Sequence, residues 1–270
     1  MSAPSDLLED RVQVLLRTLR YGRSLRVLPE TDSTNDDARA DAAAGAVDGH
    51  VVVADAQRHG RGSHGRSWAS PAGTDLYLSI VARPERPLAQ LAPLTLAVGL
   101  GVVECVDAML GNQALAPARV KWPNDVWIGT KKCAGILVEA RAVAGPGSAP
   151  ERAELVIGIG LNVNRLDFPE ELATSATSLR ASREPSTLLD RAMVLVTLLR
   201  HVERRVDHFV ARGGEPLAAA LQPRLALRGT RVRCDGREGT LLGVASSGAL
   251  RLATDSGMVE LISGRIEPAT

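Results

Sequence analysis

A short run of glycines and cations at residues 60–68 has the composition of a loop that binds an anion. Its three glycines allow successive backbone N–H groups to turn toward one negative group. Arg61 and Arg66 add planar guanidinium groups that suit carboxylate or phosphate oxygens, and Trp68 offers a flat face for a ring. A flexible hairpin connection often has a similar composition, so this pattern alone leaves both interpretations open.

A cluster of lysines is the second feature with chemical meaning. The chain has 32 lysine and arginine residues, of which only Lys121, Lys131 and Lys132 are lysines. An ammonium is a more compact cation than a guanidinium, so the cluster indicates that at least one site requires that shape. A chance grouping on a solvated turn is the alternative interpretation.

The loop and several other segments resemble the motifs of biotin protein ligases, and they occur in the order found in that family. The matching segments are residues 32–35, 60–68, 121–125, 131–139, 156–164 and 176–179, together with Gln57. The resemblance extends from about residue 31 to the end of the chain, and several motifs at family-like spacing are far more specific than one glycine loop.

The resemblance implies an enzyme that works in two steps. Biotin and ATP would give biotinyl-5′-adenylate and pyrophosphate, and the ε-amine of an acceptor lysine would then attack this mixed anhydride. The implied small molecules are biotin, ATP and Mg²⁺. The implied partner is the biotin carrier domain of acetyl-CoA carboxylase or of another biotin-dependent carboxylase, and the enzyme would be a monomer or a homodimer.

Lys132 and Arg61 are the residues to which the resemblance assigns catalysis. A carboxylate that attacks an α-phosphate must overcome the repulsion between two negative groups, and fixed cations reduce that repulsion. The family lysine that matches Lys132 lies between the biotin carboxylate and the α-phosphate. Because neighbouring residues of an extended chain point in opposite directions, we expect Lys131 to be solvated.

A larger set of residues matches family positions that hold biotin. The set comprises Ser33, Thr34, Asn35, Gln57, Gly60, Arg61, Gly62, Ser63, Lys132 and Gly135. Biotin's ureido ring needs donors and acceptors within an apolar pocket. Without the family, Ser33 and Thr34 would be explained as helix caps, Gln57 as a surface residue, and Gly135 and Gly158 as β-bulges.

Positions that hold ATP in the family match Arg66, Trp68, Asn124 and Asn162. We expect Trp68 to cover the adenine, whereas an ordinary core aromatic is the alternative role. For Asn162, the alternative role is to form a turn after Gly160. Asp125 is a candidate Mg²⁺ ligand, because Mg²⁺ prefers one or two carboxylates with phosphate oxygens, and turn formation is again the competing role.

The loop departs from the family pattern at Ser63. After Gly60, Arg61 and Gly62 many relatives carry another arginine, whereas this chain has Ser63 followed by His64. A permanent charge is thus replaced by a hydroxyl and by an imidazole whose charge depends on pH. We therefore expect this chain to retain biotinyl-adenylate less well than relatives that have the arginine.

Composition and charge restrict the class of protein. The chain has 270 residues, 45% of them hydrophobic, and a formal net charge of +1. These values predict a globular protein with one substantial core, and they provide no overall electrostatic attraction for nucleic acid. Cys105, Cys133 and Cys234 are odd in number and widely spaced, which argues against a disulfide framework and against a zinc site.

The N-terminus lacks the pattern of a signal peptide, and no apolar run approaches the roughly 18 to 20 residues that span a bilayer. We therefore expect a cytoplasmic protein with no membrane partner. Only 32 residues precede Ser33, so we expect no DNA-reading domain and no specific DNA partner. A biotin-sensing repressor is thus a disfavoured alternative. A lipoate or octanoate transferase is the other, but its Arg-Arg-x-Ser-Gly-Gly-Gly loop is absent.

Hydrophobic periodicity predicts an alternation of helices and strands. Helices are predicted at residues 6–19, capped by Ser5, and at 36–44, 90–110 and 187–210. Strands are predicted at 25–28, 51–54, 76–82, 119–122, 126–128, 133–143 and 153–159, with a turn at 145–150. Short strands at 230–234, 239–244, 249–254 and 258–262 indicate a small β-barrel.

These elements favour an α/β (α+β) fold with a mixed sheet. The resemblance implies the same architecture, in which residues 1–223 form the biotin/lipoate ligase catalytic domain and residues 224–270 form a small SH3-like β-barrel.

Overall fold

The computed structural model of the protein describes residues 6–143 and 152–269. The helices are α1 (Glu9–Leu15), α2 (Thr34–Ala43), α3 (Leu94–Leu110), α4 (Arg191–Arg212) and α5 (Gly214–Leu221). The first sheet contains β1 (Leu25–Leu28), β2 (Val51–Ala54), β3 (Leu76–Ala82), β4 (Ala118–Lys121), β5 (Asp125–Ile128), β6 (Lys131–Val143) and β7 (Arg152–Leu161). The second contains β8 (Arg231–Cys234), β9 (Arg237–Val244), β10 (Leu250–Thr254), β11 (Gly257–Leu261) and β12 (Ile266–Pro268).

The first sheet has the strand order β1-β2-β3-β7-β6-β5-β4. It is mixed, because β1 and β2 pair in parallel while the other neighbours are antiparallel. Side chains alternate between the two faces of a strand, so the sheet contributes to two separate apolar clusters. Val51 and Val53 enter the main core, whereas Val52 packs with Ala38 and Ala42 of α2.

The helix α3 lies at the centre of the main core and packs on α4. A Cβ atom on Gly101 would lie 2.8 Å from the Cα of Val202, so glycine permits the close approach of these two helices. The segment Leu94–Gln113 is long and apolar enough to cross a membrane, contrary to the expectation that no run comes close to that length. Because 67% of its apolar window is buried inside the protein, core packing accounts for its composition.

The second sheet is antiparallel, with the order β11-β10-β9-β8-β12. The turn between β9 and β10 is joined to the end of β4, since Trp122 Nε1 donates to the carbonyl of Gly248 at 3.0 Å, and the segment before β8 is joined to β4 by the N–H of Ala226, which donates to the carbonyl of Val120 at 2.8 Å. The predicted mixed α/β class is confirmed. Closure of the second sheet into an SH3-like barrel and the domain boundary at residues 223 and 224 stay predictions.

Three of the predicted strands, β1, β2 and β3, match the structure at both ends, and the other strands differ by one or two residues. The helices differ more at their ends. The first helix ends at Leu15 rather than at residue 19, because the backbone of Leu16 is extended. The last long helix begins at Arg191 rather than at residue 187, because the Asp190 side chain accepts from the N–H groups of Ala192 and Met193.

Two short elements were not predicted from the sequence, namely α5 and β12. The predicted turn at 145–150 and the predicted cap Ser5 lie outside the described residues.

Candidate active site

Three adjacent strands present a matched set of residues on the face of the sheet that α2 covers. Every second residue of β3, β7 and β6 points to this face. The pairing aligns these residues in two rows across the strands, Ser79–Gly158–Leu137 and Tyr77–Gly160–Gly135. Because the glycines in these rows have no side chains, side chains from other segments can lie directly on the sheet.

The first cavity lies on these rows and has a free volume of about 40 Å³. Ser33, Thr34, Asn35 and Gln57 line it together. The N–H and hydroxyl of Thr34 donate to Gln57 Oε1 at 2.9 and 3.2 Å, and Ser79 Oγ lies 2.8 Å from Thr34 Oγ1 and 2.6 Å from Asn35 Oδ1. Ser33 occupies the N-cap position of α2, but its side chain makes no capping hydrogen bond. Capping therefore does not explain this serine.

Gly158 makes room for Asn35. A Cβ atom on Gly158 would overlap the carboxamide oxygen of Asn35, which is buried against the sheet. The pairing of β7 with β3 and β6 is regular at this point, so Gly158 is not at a β-bulge. The space beside this glycine holds the asparagine that the sequence assigned to biotin binding.

A shift in strand register directs Lys132 into the cavity. The pairing of β5 with β6 slips between Val126 and Trp127, which leaves Cys133 as an extra residue on β6. Lys132 and Gly135, three positions apart, would otherwise face opposite sides of the sheet. With the extra residue they share a face, and Lys132 Nζ lies 3.2 Å from the point that a Cβ of Gly135 would occupy.

Lys132 belongs to the walls of both cavities of the site. Its ammonium lies 2.6 Å from Asp125 Oδ1 and 5.1 Å from the centre of the Trp68 ring. The neighbouring Lys131 is exposed, and its ammonium donates to the carbonyl of Ala173 at 3.3 Å. The expected opposite orientation of the two lysines is confirmed.

Residues 60–68 form a closed loop that borders both cavities. The N–H of Gly62 donates to the carbonyl of Arg66 at 2.7 Å, and the N–H of Trp68 donates to the carbonyl of Gly60 at 2.7 Å. Gly62 and Ser63 line both cavities. The two arginines of the loop are separated, because Arg61 borders the first cavity and Arg66 borders the second.

Trp68 forms part of the wall between the cavities. A Cβ atom on Gly160 would lie 2.5 Å from its Cε2 atom, and one on Gly135 would lie 2.9 Å from its Cζ3 atom. The indole N–H is buried without a hydrogen-bond partner in the part of the chain that the structure describes. Trp68 is half-buried and belongs to neither apolar cluster, which favours a role toward a ligand over that of an ordinary core aromatic.

The second cavity is larger, with a free volume of about 300 Å³, and it is rich in cations. The cations are Arg66, Lys121, Lys132, Arg165 and Arg265. Its aromatic residues are Trp68, Trp127 and Phe168. A cavity that combines flat apolar faces with several positive charges suits a nucleoside triphosphate, whose base stacks on aromatic rings and whose phosphates require cations.

Three of these cations, Lys121, Arg165 and Arg265, had no role assigned from the sequence. Lys121 is buried, its ammonium lies 5.2 Å from the centre of the Trp127 ring, and burial lowers the pKa of its ammonium. The lysine cluster was the signal that could have identified it. Arg265 lies just before β12, so the second sheet contributes to the cavity, and no motif in the sequence indicated this.

Asn124 and Asn162 both line the second cavity, as the sequence predicted for ATP binding. Each also stabilises the main chain around it, because Asn124 Nδ2 donates to the carbonyl of Ile136 and Asn162 Nδ2 donates to the carbonyl of Thr177, both at 2.9 Å. Their role toward a ligand stays a prediction.

Asp125 is the residue predicted to hold Mg²⁺. It is buried at the wall of the second cavity, where it forms the ion pair with Lys132. Residues 6–143 and 152–269 contain no group of three or more His, Cys, Asp or Glu side chains that could hold a metal ion. A single carboxylate fits Mg²⁺ that arrives on the phosphates of ATP and keeps several waters, rather than a resident metal.

Comparison with known proteins identifies the family. Residues 27–162 match the biotin/lipoate A/B protein ligase family. Over 270 residues the chain is 34% identical to the bifunctional ligase/repressor BirA of Bacillus spizizenii, with 98% of this chain and 80% of that protein covered. The chain belongs to this family.

Further members of the family agree with this assignment. The biotin–[acetyl-CoA-carboxylase] ligase of Mycobacterium tuberculosis is 39% identical over 218 residues, which cover 79% of this chain and 75% of that protein. The structure of the biotin protein ligase from Aquifex aeolicus in complex with biotin and ATP aligns with a TM-score of 0.77 and 28% identity, covering 92% of this chain and 100% of that one. The matched residues 27–162 include the loop, Lys132 and both glycine rows.

Proposed function

We propose that this member of the family is an ATP-dependent biotin protein ligase. The observation that supports this most directly is that a small hydrogen-bonding cavity and a larger cationic cavity meet at Lys132. A ligand carboxylate in the first cavity and a triphosphate in the second would have their reacting atoms close to the same ammonium. That arrangement suits the joining of two anions.

In the first step, a carboxylate oxygen of biotin attacks the α-phosphorus of ATP, and the bond to pyrophosphate breaks. Lys132 would stabilise the negative charge that develops on the α-phosphate oxygens, and Arg61 at the mouth of the first cavity would help to hold the carboxylate. Arg66 and the unassigned cations Lys121 and Arg265 would hold the remaining phosphates, whereas the Arg165 guanidinium is buried in an ion pair with Asp75. Mg²⁺ on those phosphates would supply further charge neutralisation, with Asp125 as its one protein carboxylate.

We assign the first cavity to biotin and the second to ATP. Ser33, Thr34, Asn35 and Gln57 would offer hydroxyl and amide groups to the ureido ring, and Gly62, Ser63 and Gly135 line the same cavity. Gly60 lines neither cavity, because the Trp68 carbonyl, Ser70 and Gln57 occupy the space beside it, so its part in biotin binding would be indirect. Trp68, whose indole N–H is free to donate, would cover the linkage between the two ligands. Asn124 and Asn162 would contact the nucleotide.

In the second step, the neutral ε-amine of an acceptor lysine attacks the carbonyl carbon of biotinyl-5′-adenylate, the C–O bond breaks, and AMP leaves with the bonding pair. The acceptor that we propose is the biotin carrier domain of acetyl-CoA carboxylase or of another biotin-dependent carboxylase, by analogy with the relative named biotin–[acetyl-CoA-carboxylase] ligase. We further propose that the protein works in the cytoplasm as a monomer or homodimer.

A pyrophosphate release assay tests the activity. The pure protein is incubated with ATP, Mg²⁺ and either biotin or lipoate, and a biotin carrier domain is then added to follow transfer of the label. We expect pyrophosphate to be released with biotin and not with lipoate, and AMP to be released when the carrier domain is added. Pyrophosphate with lipoate and none with biotin would refute the proposal in favour of lipoate ligation.

DNA binding is the property that would distinguish this chain from the relatives named ligase/repressor. We propose that the described protein has no sequence-specific DNA partner, and the balanced net charge of +1 supports this. Footprinting on the promoter of its own operon, with and without biotin, tests the point. A biotin-dependent footprint that weakens with salt would contradict it.

A further inference from the structure

We infer that Glu139 of β6 is a positioning residue that orients Asn35 in the first cavity and Arg61 of the loop at the same time, an inference that rests on the proposed function. Glu139 lies on the face of β6 that carries Gly135 and Leu137, one row beyond the cavity floor. Neither the loop composition nor the lysine cluster points to it.

One oxygen of Glu139 is shared by three donors from two different segments. Asn35 Nδ2 and Arg39 Nη2 donate to Glu139 Oε2 at 2.8 Å each, and Arg61 Nη2 donates to it at 3.2 Å. Asp36 Oδ1 accepts from the same two arginines, at 2.9 Å from Arg39 and 2.8 Å from Arg61. Arg61 thus fastens the loop to Asp36 of α2 and to Glu139 of β6, and Arg39 of α2 bridges the same two carboxylates.

The acceptor oxygen of Glu139 determines which way the carboxamide of Asn35 points. An ionised carboxylate only accepts hydrogen bonds, so it must face the NH₂ group of Asn35. The oxygen of that carboxamide is then directed to Ser79, whose Oγ lies 2.6 Å away. Without Glu139, the amide is free to rotate by half a turn and to exchange the donor and acceptor that it offers to the cavity.

The same carboxylate acts on the loop through Arg61. The loop borders both cavities, and it contacts the sheet both through Trp68, which lies on Gly135 and Gly160, and through Arg61, which reaches Glu139. Its guanidinium is 39% exposed and is held by Asp36 and Glu139. Loss of one of these two anchors should loosen the loop and shorten the time for which an adenylate stays bound.

Two variants separate the two effects, and a third serves as a matched control. Glu139→Ala removes both contacts, whereas Glu139→Gln keeps an acceptor for Asn35 but loses the charge that holds Arg61. Glu154 lies farther along the same face of the sheet, accepts from Arg83 at 2.7 Å and Arg141 at 2.6 Å, and borders neither cavity. Glu154→Ala therefore measures the effect of removing an arginine-binding carboxylate that lies away from the site.

The measurements are the KM values for biotin and ATP, the kcat of pyrophosphate release, the dissociation rate of biotinyl-adenylate and the melting temperature. For Glu139→Ala we expect a biotin KM raised about tenfold, the effect of one misdirected hydrogen bond, with kcat and the ATP KM changed much less. For Glu139→Gln we expect a biotin KM close to that of the parent but faster adenylate dissociation. Glu154→Ala should change neither quantity.

Three results would overturn the inference: an unchanged biotin KM and adenylate dissociation rate in folded Glu139→Ala, a biotin KM and an ATP KM that rise together, or the same kinetic changes in Glu154→Ala. The last two would show a general structural effect. A parent protein that releases no pyrophosphate with biotin would instead refute the proposed function, so the two failures are distinguishable.

Discussion

The first and second cavities share a wall, yet they are built from different kinds of side chain. The first has a free volume of about 40 Å³, a floor of strand glycines, and neutral groups that are hydrogen-bonded to one another. The second has a free volume of about 300 Å³ and five cations around it. The first cavity is thus characterised by the geometry of its hydrogen bonds, and the second by its positive charge and its larger volume.

This difference matches the two kinds of ligand that we propose. A network of fixed donors and acceptors recognises a particular arrangement of ligand groups, because a wrong ligand leaves buried polar groups unpaired. A set of cations around an open space binds any suitably placed polyanion. We therefore attribute substrate specificity to the first cavity and generic nucleotide binding to the second, with Lys132 and Trp68 belonging to both.

The largest expected effect follows from removing the cation that belongs to both cavities. Lys132→Ala should lower the rate of adenylate formation by about 10² to 10³, the usual loss for one group that stabilises a transition state. Lys132→Arg should also fail, because a broad guanidinium does not replace a compact ammonium between two oxygens. Pyrophosphate release measures both. Lys131→Ala is the control, and equal activities of the Lys131 and Lys132 variants would contradict the shared role.

Gly160→Ala should break the wall between the cavities. The new Cβ would lie 2.5 Å from the Trp68 ring, so the ring must move. We expect a loss of about 1–3 kcal/mol in the free energy of unfolding and weaker binding of both biotin and ATP. Chemical denaturation and the two KM values measure this. Gly99→Ala in α3 is the control. Its new Cβ would lie at an ordinary 3.4 Å from the nearest atoms, which belong to Val120 on the other face of the sheet.

A pH profile should distinguish the second cavity from the first. Burial lowers the pKa of Lys121, the nearby Arg265 and Lys132 lower it further, and Asp125 opposes them. The protonated lysine binds phosphate, so ATP affinity should fall as the pH rises through this lowered pKa, while biotin affinity should not follow it. Lys121→Arg should abolish the decline, since arginine stays charged. A decline that persists in this variant would show that another group titrates.

The smallest expected effect concerns the loop over both cavities. Ser63 borders both, and its hydroxyl accepts from Arg66 Nη2 at 3.1 Å. Ser63→Arg should slow the dissociation of biotinyl-adenylate by several-fold, because a charge-assisted contact to the adenylate is stronger than a neutral one. The dissociation rates of the two proteins at one pH decide the matter. Identical rates would mean that His64 or backbone groups already retain the intermediate.

The sequence by itself determined the local elements and the chemistry of individual residues. Short apolar runs defined β1, β2 and β3 to the residue, and β2 and β3 are buried at every position rather than on alternate ones. The glycines and arginines of residues 60–68, and the few lysines, indicated an anion-binding site. The order of the motifs indicated the family, whose membership the comparisons confirm.

Only the tertiary structure decided how these residues face one another. The extra residue Cys133 places Lys132 on the same face as Gly135, and a register shift depends on strand pairing rather than on any local pattern. Likewise, Asn35 fills the space beside Gly158, and Glu139 joins Asn35 to Arg61, across separations of about 80 to 120 residues along the chain. Periodicity reports the face to which a residue points within its own element, whereas packing between elements selects its partner.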